Sequence, residues 1–401
     1  MIHKITIENF FSISEEQELS FKVPANAPDL AYFKPTLSNT ELRLPSVIGF
    51  FGANASGKTT ILRAVISAFI FACNSFDAQS IPYPFFTPYR QKSWCSVPTK
   101  IMIEFDGKLN EESPSQVFRY ELHISHKPEP MDFSGKTVAY EALSYAPAGK
   151  FRSLFKREKQ NISFGREFGV FHANDPRTES IRPDASVIST LAKFNHPLSI
   201  YLKHIMGQQV ETNIRGIGKV RPGASQWLQI YHRNKKCLDA LNKELPRLDM
   251  GLSNMVVEQG PQGFFAKFYH EGLDDFIFFD EESQGTQRFI EIFPRLHYVL
   301  EMGGIAIIDE IDTDLHPMLL PELFRWFADP KRNPKGAQLL FTAHNPGLLD
   351  HLEKEQIFFT EKPSGQGTSV YGGKDIQGLR REPSLMKKYL SGELGAVPHI
   401  G

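Results

Sequence analysis

Residues 52–59 read Gly52-Ala53-Asn54-Ala55-Ser56-Gly57-Lys58-Thr59, a spacing suited to a polyphosphate. The two glycines let the backbone N–H groups of Ala53, Asn54, Ala55 and Ser56 turn inward around a phosphate. The helix that must follow, entered through Thr60, adds the positive end of its dipole. Lys58 then reaches the β- and γ-phosphates, and the Thr59 hydroxyl becomes a magnesium ligand. A complementary stretch, Ile305-Ala306-Ile307-Ile308-Asp309-Glu310, ends an apolar run in two acids. Asp309 is placed to hold the magnesium and its water, and Glu310 to accept a proton from an attacking water. Phe341-Thr342-Ala343-His344-Asn345 ends a further apolar run in a histidine that can donate to a γ-phosphate. The three stretches together predict nucleoside triphosphate hydrolysis, with Lys58, Glu310 and His344 catalytic and with ATP and Mg2+ as cofactors.

These chemistries require strand ends, and the chain supplies them. Val47-Ile48-Gly49-Phe50-Phe51 reads as a buried strand feeding the phosphate turn, with a helix from Lys58 to about Phe71. Downstream, a helix over 286–302 precedes the strand 305–308. A helix over 318–328, a strand over 338–341 and a last strand over 356–360 follow. Residues 100–105, 117–124 and 137–145 alternate or are rich in aromatics, as strands of an antiparallel subdomain. From 151 to 252 basic pieces and two helical patterns, 188–204 and 225–245, predict a helical insertion. The expected class is α/β: an N-terminal lobe (1–150), that insertion (151–252) and a C-terminal lobe (253–401).

Bulk properties narrow the partners. With 45 basic against 46 acidic residues, the whole chain has no general attraction to nucleic acid or to a membrane surface. Four basic clusters remain as local candidates for DNA or an acidic protein: 150–157, 215–221, 233–236 and 380–388. A solvated face is the simpler reading of each. Cys73, Cys95 and Cys237 have neither disulfide nor metal spacing, and no apolar run is long enough to span a bilayer. A cytoplasmic protein is expected.

The order of these motifs resembles that of the ABC-type ATPases of the SMC and RecF-like group. More narrowly, Asp309–Pro317 (DEIDTDLHP), Gly336–Asn345 (GAQLLFTAHN), Glu282–Phe289 (ESQGTQRF), Val138–Tyr145 and Tyr389–Ile400 resemble AAA ATPases of bacterial abortive-infection and anti-phage loci. Those are the RloA-like and AbiL-like proteins, with OLD-family nucleases and the PARIS ATPase as relatives. The resemblance implies an ABC-ATPase head in which Ser283, Gly285 and Thr286 form a signature motif that contacts ATP held by a second subunit. It also implies a D-loop over Ile311–His316 and a metal-contacting glutamine, for which Gln91 is the candidate. The implied assembly is a homodimer or higher homo-oligomer closed around ATP. It would control a separately encoded effector, a Toprim-type or RloB-like nuclease, with DNA or a phage protein as trigger. With only 57 residues after His344, the ATPase alone is expected here, without a Toprim nuclease. Two alternatives accompany this reading. One is a RecF- or SMC-like repair ATPase acting on DNA directly. The other takes Glu310, Asp312 and Asp314 as a two-metal nuclease site, against which stands the contiguity of these acids. Phe11 falls where such relatives carry Arg or Lys.

Overall fold

Val47–Gly52 is buried at every position, the mark of a central strand covered on both faces. It lies in the middle of a six-stranded sheet ordered Gln209–Thr212, Ile305–Ile308, Gln338–Thr342, Val47–Gly52, Ile357–Glu361 and Ser369–Gly372. All neighbours pair in parallel except the last two strands. The register sets Ile308 beside Phe341 and Thr342 beside Phe50, so three strands finish together at one edge. Ligands of open α/β sheets bind outside such carboxyl ends. This computed structural model describes the chain except residues 37–40, 79–85, 127–134, 170–174, 213–223, 249–250, 262, 314, 316–317, 380–383 and 398–401.

The helix Lys58–Asn74 is apolar nearly all round, as a helix covered on every side must be. One apolar core joins it to the parallel sheet and to a seven-stranded antiparallel sheet. That second sheet runs Asn161–Phe164, Arg152–Glu158, Thr137–Tyr145, Gln116–Ser125, Thr99–Gly107, Ile2–Glu8 and Gln17–Ser20. Gln338, fully buried, links the two sheets: its Oε1 accepts from Ile2 N at 2.8 Å and its Nε2 donates to Pro45 O at 3.0 Å. A second core gathers the helices Ala224–Arg233, Lys235–Glu244, Gln284–Met302 and Leu319–Ala328 with the three-stranded sheet Leu252–Gly260, Gly263–His270 and Ile277–Phe278.

The stretch 151–252, expected to be helical, opens with two strands of the antiparallel sheet and sends Gln209–Thr212 to the edge of the parallel one. The two helices expected within it are each broken in two. Pro197 starts a new helix with His196 as its cap, and Asn234 caps Lys235–Glu244. No described helix is long and apolar enough to cross a membrane.

Candidate active site

The turn between Gly52 and the helix is built for close approach. Gly52, Ala55 and Gly57 all have positive φ (153°, 60° and 108°). A Cβ at Gly57 would meet the Thr368 hydroxyl at 2.4 Å, so only glycine serves there. Thr368 donates to Ser56 O at 2.8 Å, with Ser12 Oγ 2.9 Å from the same hydroxyl, and Ser56 Oγ lies 2.6 Å from Thr360 Oγ1. The turn is thus clamped from the last two strands of the sheet. Lys58 Nζ donates to Gly52 O (2.8 Å) and Ala53 O (3.0 Å), curling over the cradle it helps to form. Burial pulls its ammonium below the usual lysine range, opposed by the carboxylates of Asp309, Asp312 and Glu310.

Asp309 leaves the end of Ile305–Ile308 directly opposite. The Thr59 hydroxyl donates to both its oxygens, at 2.9 and 3.0 Å. Burial holds the Asp309 carboxyl above its ordinary range, and the hydroxyls of Thr342 and Thr59 work the other way. Thr342, at the end of the neighbouring strand, donates to Asp309 Oδ1 at 2.6 Å and accepts the Glu310 N–H at 2.7 Å. That second bond helps to hold Glu310 at a φ of 51°, a costly conformation for a side chain of this size. The Glu310 carboxylate is about half exposed, with Oε1 3.5 Å from His344 Nε2. Its Oε2 accepts a long bond from Thr313 Oγ1 at 3.4 Å, which leaves the carboxylate able to take a proton from water. His344 is held by its backbone, since Asp312 Oδ2 accepts from His344 N (2.8 Å) and Asn345 N (2.6 Å).

This use of Asp312 Oδ2 by two backbone N–H groups argues against the two-metal nuclease reading. Asp314 and His316 lie outside the described residues. What remains is an open cleft of about 390 Å³, lined by residues 54–60 with Ser12, Glu310, Thr342 and His344. Thr59 and Asp309 bring oxygens to one point beside the glycine-containing turn, which fits a magnesium nucleotide. Those two residues would hold the ion, which when bound offsets charge on the phosphates.

The expected Lys58, Thr59, Thr60, Glu310 and His344 thus meet in one cleft beside Asp309. Gln91 does not join them: it is exposed at the start of the turn Lys92–Trp94. Asn9 fastens that loop at Trp94 O and Val97 O, leaving Gln91 outside the lining. Ser283 and Gly285 do not line the cleft either. Ser283 is exposed and caps Gln284–Met302, accepting Thr286 N at 3.1 Å. Ser12 and Thr342 went unpredicted. The one available signal for Thr342 was a polar residue ending an otherwise apolar strand. Of the basic clusters, 150–157 loses Arg157, which is fully buried against Glu141 at 3.5 Å. Arg215, Lys219 and Arg221 of the second cluster, and Arg380 and Arg381 of the fourth, lie outside the described residues.

A family model described as "AAA domain, putative AbiEii toxin, Type IV TA system" matches residues 47–350, from the strand before the phosphate turn to just past His344. The chain belongs to this AAA family. Its cleft is accordingly that of a nucleotide-binding P-loop ATPase of the AAA type. No curated protein matches the chain. Among solved structures it is similar to the SMC head domain from Thermotoga maritima, at 12% identity and a TM-score of 0.41, covering 92% of this chain and 98% of that one. It is also similar to an SmcHead bound to the C-winged helix domain of ScpA, at 13% identity and a TM-score of 0.45, covering 97% and 99%.

Proposed function

We propose that this AAA protein is an ABC-type switch. Two copies close around two ATP molecules, hydrolyse them slowly, and by closing and opening control a separately encoded nuclease in anti-phage defence. The carrying observation is a division of the site. One chain gathers Lys58, Thr59, Asp309, Glu310 and His344 at one sheet edge, while Ser283 and Gly285 stand at a helix start outside that cleft. The Gln284 and Gly285 N–H groups are first-turn donors beyond the reach of helical carbonyls, and they sit at the positive end of a 19-residue helix. A γ-phosphate on a second copy is the ligand that chemistry fits. The family's printed description, a putative toxin of a Type IV toxin–antitoxin system, supports a role beside a separately encoded partner.

Within each cleft Lys58 exchanges its carbonyl partners for phosphate oxygens, Glu310 takes the water proton, and His344 donates to the γ-phosphate. Glu310→Gln tests both parts. It should bind ATP, lower kcat by roughly 100-fold or more, and elute as an ATP-dependent dimer in size-exclusion chromatography. A variant that hydrolyses normally, or stays monomeric with ATP, overturns the reading.

A further inference from the structure

The three-stranded sheet Leu252–Gly260, Gly263–His270 and Ile277–Phe278 has two unlike faces. Alternation along Gly263–His270 sends Ala266 and Phe268 into the second core, so Phe265, Lys267 and Tyr269 point the other way. Phe278 pairs with Lys267 across the sheet and joins that outer side. Four rings are linked there. Phe265 lies 6.4 Å from Phe278, Phe278 5.2 Å from Phe276, and Phe276 6.2 Å from Tyr269, centre to centre. Phe278 is 50% exposed, Tyr269 36%, and Leu273 in the adjoining turn 55%, so the described residues leave this side uncovered. A contiguous apolar patch of this kind marks an interaction surface.

Its charge says what can dock. Residues 252–282 carry seven acids and one lysine, and the acids flank the rings. Glu258 stands opposite Phe265, Asp274 and Asp275 end the turn before Phe276, and Asp280 and Glu281 follow Phe278. Lys267 Nζ sits 5.0 Å from the Phe276 ring centre and 5.7 Å from that of Phe265, with Glu258 at 2.8 Å. The bond to Glu258, with the charge of Asp275 adding to it, holds this ammonium above the usual lysine range. The patch thus already seats one cation between rings and carboxylates. Single-stranded nucleic acid, which stacks on such rings, meets repulsion here, as does an anionic membrane. A two-fold contact between copies would set the acidic face against itself. A basic polypeptide meets neither obstacle.

We propose that this face docks a separate protein through a basic segment in which arginine or lysine alternates with apolar residues. The apolar groups cover the four linked rings, and the cations pair with Asp274, Asp275 and Asp280 around them. Phe278 leads through the turn Phe279–Glu281 to Ser283, but docking does not rest on the ATP sandwich.

The probe is a fluorescein-labelled peptide of alternating arginine and leucine, titrated by fluorescence anisotropy into the full-length protein. Arginine–serine and glutamate–leucine peptides are the controls. The arginine–leucine peptide should bind saturably, more tightly than either control, and less tightly as salt is raised. Phe278→Ala and Tyr269→Ala, both at exposed rings, should each weaken binding about fivefold, the scale of one ring contact. Asp274→Lys should weaken it about threefold. Phe151→Ala, at an exposed ring beside the antiparallel sheet, should leave it unchanged. The proposal fails if the peptide does not saturate, if the arginine–serine peptide binds as well, or if Phe151→Ala matters as much as Phe278→Ala. A single-stranded oligonucleotide whose binding is lost in Phe278→Ala would overturn it in favour of nucleic acid. Self-association in sedimentation that Phe278→Ala abolishes would overturn it in favour of a second copy.

Discussion

Thr342 carries two bonds that set the geometry of hydrolysis, one to the carboxylate of Asp309 and one from the N–H of Glu310. It is fully buried, so no water can replace it. Thr342→Val preserves shape but leaves a buried carboxylate oxygen and a strained N–H without their partner. Stability should fall by about 1–3 kcal/mol. The freed Glu310 should reduce kcat by roughly 10- to 100-fold while ATP affinity changes little, with Thr342→Ser close to wild type. A Thr342→Val enzyme with unchanged kcat would show that Glu310 is placed by other means. Lys58, Thr59, Asp309 and Glu310 were legible in the sequence because each sits inside a contiguous motif whose chemistry is local. Thr342 was not, because its partners belong to another strand and only the pairing of Ile308 with Phe341 brings them together.

The helix Gln284–Met302 shows how one residue can satisfy two demands. Ser283 caps it through Thr286 N, which is a sufficient structural reason for a serine there. The sandwich reading asks more, that the same serine meet a partner's γ-phosphate. Ser283→Asp separates the two. Aspartate caps as well as serine, so thermal stability should hold within about 0.5 kcal/mol. Its charge would repel the phosphate, so ATP-driven dimers and hydrolysis should both be lost, as measured by sedimentation and phosphate release. Full activity in Ser283→Asp would reduce Ser283 to a cap. This helix was readable from its period, whereas the strand Arg152–Glu158 was not. It buries Leu154, Phe155 and Arg157, and a buried arginine looks like surface until Glu141 and the carbonyls of Arg182 and Ala185 are seen around it. Gln209–Thr212 is a four-residue edge strand whose identity comes only from Ile305–Ile308 beside it.

Across the whole molecule, the antiparallel sheet is tied to the nucleotide cleft through a short relay. His126 Nε2 lies 2.8 Å from Thr99 Oγ1, and Thr99 donates its own proton to Asn9 O at 2.6 Å, so the imidazole is the donor in the first bond. Asn9, fully buried, begins the turn that brings Ser12 into the cleft. Burial, with Lys136 adding repulsion, lowers the His126 pKa to about 4. An unfolded chain takes up this proton near pH 6.5 and the folded one only near 4, so the unfolded state binds more protons between those values. Stability is therefore complete above about pH 6.5, falls as the pH drops towards 4, and levels off below. Lys136, lowered to about 8 by burial, obeys the same sign at higher pH and adds no slope in the acid window. His126→Gln keeps a donor for Thr99 and removes the titration. Denaturant unfolding at pH 7 and pH 4.5 should show the wild type losing roughly 2 kcal/mol more than the variant. Equal losses would mean that His126 is protonated in the folded protein and that the acid sensitivity of the two joined sheets has another origin.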